Sequence, residues 1–569
     1  MATELFDPKT KWRANCYIWQ YVIGSAEGED RFKSSWNPQD IDRTVIAAGE
    51  TFAYFPALSN NMDKRKTYDS DFCGSVPLNQ INVIQSYGYI LVLDKQDLTI
   101  VQASENVAQL LGQPVNKLVN QPLSRYVPDE DVEKLVNRFE VRHASKLPQK
   151  LTIGGYSMRA ITHLKSAYYL LELEQLHGNG ERSFSDVFEE IKYIIASVES
   201  AKTLEEVAQL TVEEIKKVSG FDGVMMYQFD ADWNGTVIAE EKAAGMDSYL
   251  GHKFPASDIP KQARNLYLNN PYRLIPDRDY KPVRLYPIIN PVTKAFIDLS
   301  DCNLRGVAAV HLEYLKNMNV QASMSIRILR EHQLWGLIAC HHRSPHYVSF
   351  ELCSVLELLS SVISNKIAAV LHQNTYELKA ALHLKFTTLT ERLYRQGNLA
   401  SILLDQENTH VLDLFGAQGA AVVLNGQQRT LGQVPAHHFI DDLTLWLQNR
   451  VSNQVYHTNN LAGEFDEADA YAETASGILA IPINSENGEF LICFRPERIE
   501  TVKWGGNPNE AIQFEADGKT YHPRHSFGLW LQTVRQTAIP WQEEQLELAA
   551  NLRNLINEFR VKNSPHSLS

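Results

Sequence analysis

Cysteine is scarce in this sequence, and its few copies are widely spread. Six occur among 569 residues, without any CxxC pair. This spacing argues against both a disulfide framework and a cysteine-based zinc site. Each cysteine is therefore predicted to be a small buried hydrophobic residue. The six are Cys16, Cys73, Cys302, Cys340, Cys353 and Cys493.

Long apolar runs and an excess of basic charge are also missing. No stretch approaches about 18 uncharged apolar residues, which predicts that the chain does not span a membrane. The N-terminus, MATELFDPKTKW, lacks the basic-then-apolar plan of a secretory signal and favours a cytoplasmic location. A balance of 54 basic against 68 acidic residues gives a net charge of −14. Nucleic acid is therefore not the expected partner.

The motifs of the common enzyme classes are absent as well. There is no GxSxG or HExxH string, and GKT at 518–520 lacks the upstream glycine of a phosphate-binding loop. The histidine pairs at 341–342 and 437–438 are interpreted as ordinary surface or core histidines, so no metal site is predicted. The chain is expected not to be an enzyme itself, and residues 561–569 are too few to form an output enzyme.

The pattern of apolar residues predicts three α+β domains in tandem. Residues 73–180 combine alternating or continuous apolar strands, such as YILVL, with short helices, and HGNGERS then marks a boundary. Residues 184–345 give helix, strands, a long insertion and strands again. Residues 1–72 show little periodicity and are treated as a loosely ordered extension.

A long helix is predicted between the second and third domains. Residues 346–396 contain neither glycine nor proline, and apolar residues follow a helical stripe. Such a helix is longer than a globular domain needs and indicates a rigid connector. The third domain covers 397–560, with an extended arm at about 495–540, and residues 561–569 form a tail.

Several unusual strings resemble the phytochrome family. GHKFPASDIPKQARNLYLNN, LRGVAAVHLEYLKNMNVQASMSI and LWGLIACHH are similar to its bilin-binding GAF domain. KWGGNP and YHPRHSFGLWLQTVRQTAIPW resemble the tongue of its PHY domain, and FCGSVPLNQINVIQSYGYILVL resembles the start of its PAS domain. The resemblance covers about residues 73–560 and implies a PAS-GAF-PHY photosensory module of the bacteriophytochrome type.

The resemblance also implies which residues hold the bilin. The main-chain carbonyl of Asp258 accepts hydrogen bonds from the pyrroles, His311 lies beside the inner rings, and His341 contacts the rotating D ring. The propionates are held by Arg273, Arg305, Ser323 and Ser325, and the pocket walls are Tyr227, Phe254, Tyr314 and Ile259. From the residues alone, Asp258 could equally be a helix cap, and the histidines and aromatics could be ordinary core residues.

The position of covalent attachment decides which bilin is expected. Many phytochromes use a cysteine directly before the family histidine, but this chain has Val310 there. Bacteriophytochromes use an upstream cysteine, which matches Cys73; Cys16 is its competitor. Biliverdin is therefore the expected cofactor. Ser86-Tyr87 replaces the usual Pro-His, and Ala309 replaces a common proline, which leaves spectral tuning open.

The implied function is a red/far-red photoreceptor whose tongue and long helix carry the signal. Arg524, with Ser526 nearby, is expected to meet Asp258 across 266 positions and to act as a tongue switch; otherwise Arg524 would be a solvated loop residue. A homodimer formed through helices and an unknown output partner are expected. The alternatives are a small-molecule sensor without photochemistry, such as a cyclic-nucleotide receptor, and an enzyme acting on tetrapyrroles.

Overall fold

The computed structural model describes most of the chain after residue 80. The described residues are 78, 81–140, 146, 148–176, 184–450, 453–510, 512–514 and 521–563. They fall into two compact units. The first contains the described residues up to 200, 208–364 and 505–528, and the second contains 201–207, 365–504 and the residues from 529 onward.

Thirteen α-helices are formed by the described residues. They are α1 Val107–Leu111, α2 Val115–Leu118, α3 Asp129–Glu140, α4 Phe184–Ser200, α5 Leu204–Ser219, α6 Lys261–Asn269, α7 Ala309–Asn317, α8 Phe350–Gln396, α9 Leu399–Leu403, α10 Val411–Phe415, α11 His437–Arg450, α12 Ala472–Ala475 and α13 Glu543–Asn563.

The described residues also form twenty-two strands. They are β1 Val83–Ile84, β2 Tyr89–Leu93, β3 Ile100–Ser104, β4 Pro148–Ile153, β5 Tyr156–Leu164, β6 Tyr169–Gln175, β7 Gly223–Phe229, β8 Gly235–Lys242, β9 Lys253–Phe254, β10 Tyr272–Ile275, β11 Val283–Tyr286, β12 Ala322–Arg330, β13 Gln333–His342, β14 Gly419–Leu424, β15 Gln427–Gly432, β16 Tyr456–Thr458, β17 Gly477–Asn484, β18 Glu489–Arg495, β19 Glu500–Gly505, β20 Ile512–Phe514, β21 Tyr521–Pro523 and β22 Leu529–Val534.

The first sheet of unit one has the order β1-β11-β3-β2-β6-β5-β4 and is antiparallel. The run YILVL of β2 is buried on both faces. Leu91 and Leu93 pack with α1–α3, while Ile90 and Val92 pack against a second cluster that includes Leu285 of β11. A strand from the middle of the chain therefore completes a sheet otherwise built from its beginning.

The second sheet of unit one contains the antiparallel strands β10-β12-β13-β7-β8-β9. Helices α6 and α7 interrupt the strands, as does a single 3-10 turn at Ala256–Asp258. The short hairpin β20-β21 also belongs to this unit.

Unit two is built on the antiparallel sheet β15-β14-β18-β17-β16. One face packs on residues of α8, α9, α10 and α13, and the other packs on α11 and the segment 461–475. These three sheets with flanking helices confirm the predicted α+β class.

Helix α8 begins later than the predicted 346. His346 is held outside the helix, because its N–H donates to the Pro276 carbonyl and its ring contacts the Ser219 carbonyl at 2.9 Å. The 47 residues of α8 extend about 70 Å at ~1.5 Å per residue. One 18-residue window has a mean hydropathy of 1.5 and is apolar enough to cross a membrane by length and composition, with 44% of it buried inside the protein. By length and composition alone α8 could therefore span a membrane, contrary to the prediction made from the sequence. The core helix of a soluble protein passes the same test.

The cysteines that the structure describes are all free and buried, as predicted for them. They are Cys302, Cys340, Cys353 and Cys493. Cys16, Cys73 and the extension 1–72 lie outside the described residues.

Candidate functional site

Four of the predicted site residues share one face of the second sheet. Arg273 on β10 is paired with Ser325 on β12, and Ser323 on β12 is paired with His341 on β13. Residues paired in an antiparallel sheet point to the same side, and residues two apart along a strand do so too. The register therefore gathers two hydroxyls, a guanidinium and an imidazole from three separate strands.

Aromatic side chains surround this face. The partner of Tyr227 on β13 is four residues before His341, which keeps Tyr227 on the same side. Its ring meets Phe254 edge to face at 5.5 Å. Tyr314 comes from α7, where its ring lies nearly parallel to that of His311 at 5.9 Å. Aromatic rings thus border a face that carries a few polar groups at defined positions, a combination common in small-molecule sites.

Both site histidines are held in the neutral form. Burial, followed by the nearby charge of Arg273, lowers the pKa of His311 to about 4. Burial, followed by the neighbouring His311, lowers the pKa of His341 to about 4 as well. A neutral imidazole offers one donor and one acceptor, so each ring can bind both a carbonyl and an N–H group.

Two arginines bring positive charge to the site without a matching carboxylate. Arg273 donates to the carbonyl oxygens of Asn303, Arg305 and Gly306. Arg305 donates to the Leu78 carbonyl at 3.3 Å, and its buried Nε has no hydrogen-bond partner. Burial and the adjacent Arg273 lower the pKa of Arg305 to about 9. Neither arginine forms an ion pair within the described part of the chain, so the two fit a ligand that carries two carboxylates.

Asp258 lies at the end of the 3-10 turn and is paired with two other side chains. The Tyr314 hydroxyl donates to its Oδ2 at 3.0 Å, and the Arg524 guanidinium forms an ion pair with the same oxygen. The contact expected across 266 positions is therefore present. Only 6% of the Asp258 side chain and 3% of the Arg524 side chain are exposed. Burial raises the pKa of Asp258 to about 6, although Arg524 and Tyr314 act against it.

Arg524 is enclosed by aromatic rings. Its guanidinium lies 4.8 Å from the ring centre of Phe527 and 5.5 Å from that of Phe254. Nε and Nη1 are buried without a hydrogen-bond partner among the described residues. The charge is thus desolvated and balanced chiefly by Asp258.

Three other predicted residues stand apart from this cluster. Ile259 follows the 3-10 turn and is partly buried. Ser526 is exposed, and its hydroxyl accepts the N–H of Gly528 at 3.2 Å. Cys73 lies outside the described residues.

Sequence reasoning missed several residues of the site. Phe527 packs edge to face on Tyr314 at 4.7 Å, and Asn317 donates to the Arg524 carbonyl at 3.1 Å. The available signals were the position of Phe527 close after Arg524 in the sequence and the position of Asn317 one helical turn after Tyr314. Tyr267 contacts Ser325, which no local pattern indicates.

A second polar cluster in unit one was also missed. His163, Glu172 and Cys302 are buried, with potential ligand atoms within 4.8 Å of one another. The His163 ring lies between Glu172 at 3.0 Å and Asp301 at 3.4 Å, and hydrogen bonds to these two carboxylates raise its pKa despite burial. The contacts of His163 with Glu172 and Asp301 therefore account for these buried polar groups without a metal ion.

Comparison with known proteins identifies the family. The family model described as "PAS fold" matches residues 73–176, "GAF domain" matches 203–369 and "Phytochrome region" matches 383–564. A bacteriophytochrome of Xanthomonas campestris is 32% identical over 509 residues, which cover 87% of this chain and 79% of that relative. The chain belongs to the phytochrome family.

Other phytochromes agree in sequence and in fold. Cyanobacterial phytochrome B of Nostoc is 37% identical over 86% of this chain and 66% of its own length, so the chain spans about two thirds of that relative. The crystal structure of bacteriophytochrome RpBphP3 from R. palustris has a TM-score of 0.76 at 33% identity, covering 86% of this chain and 99% of that one. The photosensory core module of Stigmatella aurantiaca phytochrome has a TM-score of 0.75 at 34% identity, covering 89% and 99%.

Proposed function

We propose that this phytochrome binds biliverdin and acts as a red/far-red photoreceptor. The observation that carries the proposal is the pair of guanidinium groups of the partly buried Arg273 and the buried Arg305, without carboxylate partners beside two neutral histidines. A dicarboxylate with N–H and carbonyl groups along an apolar face matches that donor set. The relatives matched in sequence and fold are phytochromes and bacteriophytochromes.

Different residues would bind different parts of the pigment. Arg273 and Arg305, with the hydroxyls of Ser323 and Ser325, would bind the propionates. The main-chain carbonyl of Asp258 and the His311 ring would serve the pyrrole N–H groups, and His341 the D-ring carbonyl. The apolar contacts would come from Tyr227, Phe254, Tyr314 and Ile259. When bound, a bilin absorbs visible light and isomerises about one double bond.

Cys73 is the proposed attachment residue. The carbonyl of Leu78, five residues later, contacts Arg305. Five residues of chain can span at most roughly 18 Å, a length compatible with attachment near the arginine cluster. Val310, next to His311 on α7, has no thiol to offer.

The Asp258–Arg524 pair is the proposed switch. Because the pKa of Asp258 already stands at about 6, a modest change in its surroundings would protonate the carboxylate. Protonation removes the charge that holds Arg524, whose guanidinium then loses its chief anionic partner. The tongue thereby loses one of the contacts that hold its present pairing, and α8 is the proposed route to an output.

The proposed setting of the receptor follows from the same family. We propose a cytoplasmic homodimer that contacts its partner copy through helices, with signalling passed to a separate output protein or domain. Exposed aromatic and aliphatic side chains on α4 and α8, namely Tyr193, Tyr376 and Leu384, support a helix-mediated contact.

Spectra of the protein co-expressed with a biliverdin source test the proposal. We expect an intense red band that changes reversibly under red light. Asp258→Ala should bind pigment but lower the photoconversion yield by roughly an order of magnitude, because the switch loses its carboxylate. Asp129→Ala, an exposed carboxylate at the start of α3, is the matched control. A chain that takes up no bilin, or an Asp258→Ala variant with a normal photocycle, would contradict the proposal and favour the small-molecule sensor.

A further inference from the structure

Helix α7 carries two sets of side chains on neighbouring stripes. His311 and Tyr314, three residues apart, stack on one stripe within the site. Glu313 and Asn317, four residues apart, form the next stripe. The same nine-residue helix therefore contacts both the proposed pigment site and whatever lies beside its second stripe.

The second stripe contacts the tongue. Glu313 Oε2 lies 2.9 Å from Nδ1 of His522, the middle residue of β21. Asn317 Nδ2 donates to the main-chain carbonyl of Arg524 at 3.1 Å. The tongue residues that make these contacts, His522 and Arg524, are two positions apart. That distance along the tongue is close to the length of the one helical turn between Glu313 and Asn317.

These contacts differ in kind from the ion pair at Asp258. Asp258 forms its ion pair with the guanidinium at the end of the long Arg524 side chain. Asn317 binds the backbone carbonyl of the same residue, and that hydrogen bond involves neither charged group of the ion pair. Loss of the Arg524–Asp258 pair alone thus leaves the tongue backbone attached to α7.

We propose that Glu313 and Asn317 are positioning residues that latch the tongue to helix α7 independently of the Arg524–Asp258 pair and thereby set the lifetime of the light-induced state. This rests on the proposed photoreceptor function. Because α7 also carries His311 and Tyr314, a small movement of the helix would change the contacts of both stripes at once. The latch stabilises the arrangement seen here, so weakening it should favour the alternative state.

The size of the effect follows from the exposure of the contacts. The side chains of His522 and Glu313 are 37% and 30% exposed. Partly exposed polar contacts change an equilibrium by about two- to five-fold. We therefore expect Asn317→Ala and Glu313→Gln each to slow the return to the resting state by that factor.

Hydrogen exchange on the apoprotein is the first test, because it needs no pigment. Asn317→Ala should speed amide exchange in residues 521–528 by about two- to five-fold and leave β12 and β13 unchanged. Asn317→Asp, of equal size, places a carboxylate against the Arg524 carbonyl and should do at least as much. Lys316→Ala, exposed on the same helix, is the matched control and should change neither region.

The photoproduct lifetime is the second test. With the red band unchanged, both Asn317 variants should slow dark return, and their effect should add to that of Arg524→Ala if the two contacts are independent. Unchanged exchange in both Asn317 variants, or a faster dark return, would overturn the latch. A protein without any photocycle would instead overturn the proposed function and leave the exchange result standing.

Discussion

Glu174 on β6 provides a sharp test of how the first sheet is connected to α8. Only 7% of its side chain is exposed, the Tyr347 hydroxyl donates to it at 3.0 Å, and Arg159 lies 3.8 Å away. Arg159 is shared, since it also pairs with Glu351 in the first turn of α8. Burial, followed by the charge of Glu172, raises the pKa of Glu174 to about 7.

The sign and size of the effect follow from that pKa. A carboxyl whose pKa rises from 4.5 in the unfolded chain to about 7 in the fold stabilises the protein most below pH 4.5, and this contribution is lost as the pH rises through about 7. The shift of about 2.5 units corresponds to about 3 kcal/mol at high pH. Glu174→Gln keeps the shape without the charge, so its benefit relative to wild type should grow by about 2 to 3 kcal/mol between pH 5 and pH 8.5.

Urea unfolding at pH 5 and pH 8.5 measures this difference. Variant and wild type are compared at each pH, because a protein of several domains has no single unfolding free energy. Glu130→Gln, at a side chain that is 81% exposed and paired with Lys134, serves as the control and should show little pH dependence. A Glu174→Gln benefit that is equal at both pH values, or larger at pH 5, would refute the reasoning.

Two further predictions concern the tongue and the attachment residue. Gly506 has φ +92°, and a Cβ there would lie 2.3 Å from the Ser526 carbonyl oxygen. Gly506→Ala should therefore break the 2.9 Å hydrogen bond to Gly528 and speed proteolysis of the tongue several-fold. Gly155→Ala, at φ +84° with open space around it, is the control that separates the clash from the backbone strain. Cys73→Ala should keep pigment in the folded protein but release it on denaturation, because the pocket contacts remain. Pigment that stays with denatured Cys73→Ala but leaves Cys16→Ala would assign attachment to Cys16.

The sequence allowed the fold class and the Asp258–Arg524 contact to be predicted because both depend on strings that are distinctive by themselves. The start of α8 was placed too early, because the absence of glycine and proline from 346–396 does not mark where a helix begins, and contacts with Pro276 and Ser219 hold His346 outside it. The pairing of β11 with β1 and β3 was not predicted. Local periodicity carries no information about strand partners 181 to 201 positions away.

The candidate site, like the fold, could be predicted only in part from the sequence. Residues such as Arg273 and His341 could be named, but their shared face depends on the register of three strands. The role of Asn317 depends on a tongue backbone more than 200 positions further along the chain. The pKa values of His311 and Asp258 depend on burial, which the sequence reveals only in outline.

The insertion of β11 into the first sheet has a consequence for biosynthesis. Residues 83–175 supply six of its seven strands, yet β3 and β1 obtain their common neighbour only when residues 283–286 have been made. A ribosome adds about 5–20 residues per second, so the nascent sheet waits on the order of ten seconds with an unpaired edge at β3. A fragment ending at residue 176 would keep that edge permanently, and we expect it to aggregate during expression, whereas a fragment that extends beyond residue 305 closes the edge as it is translated.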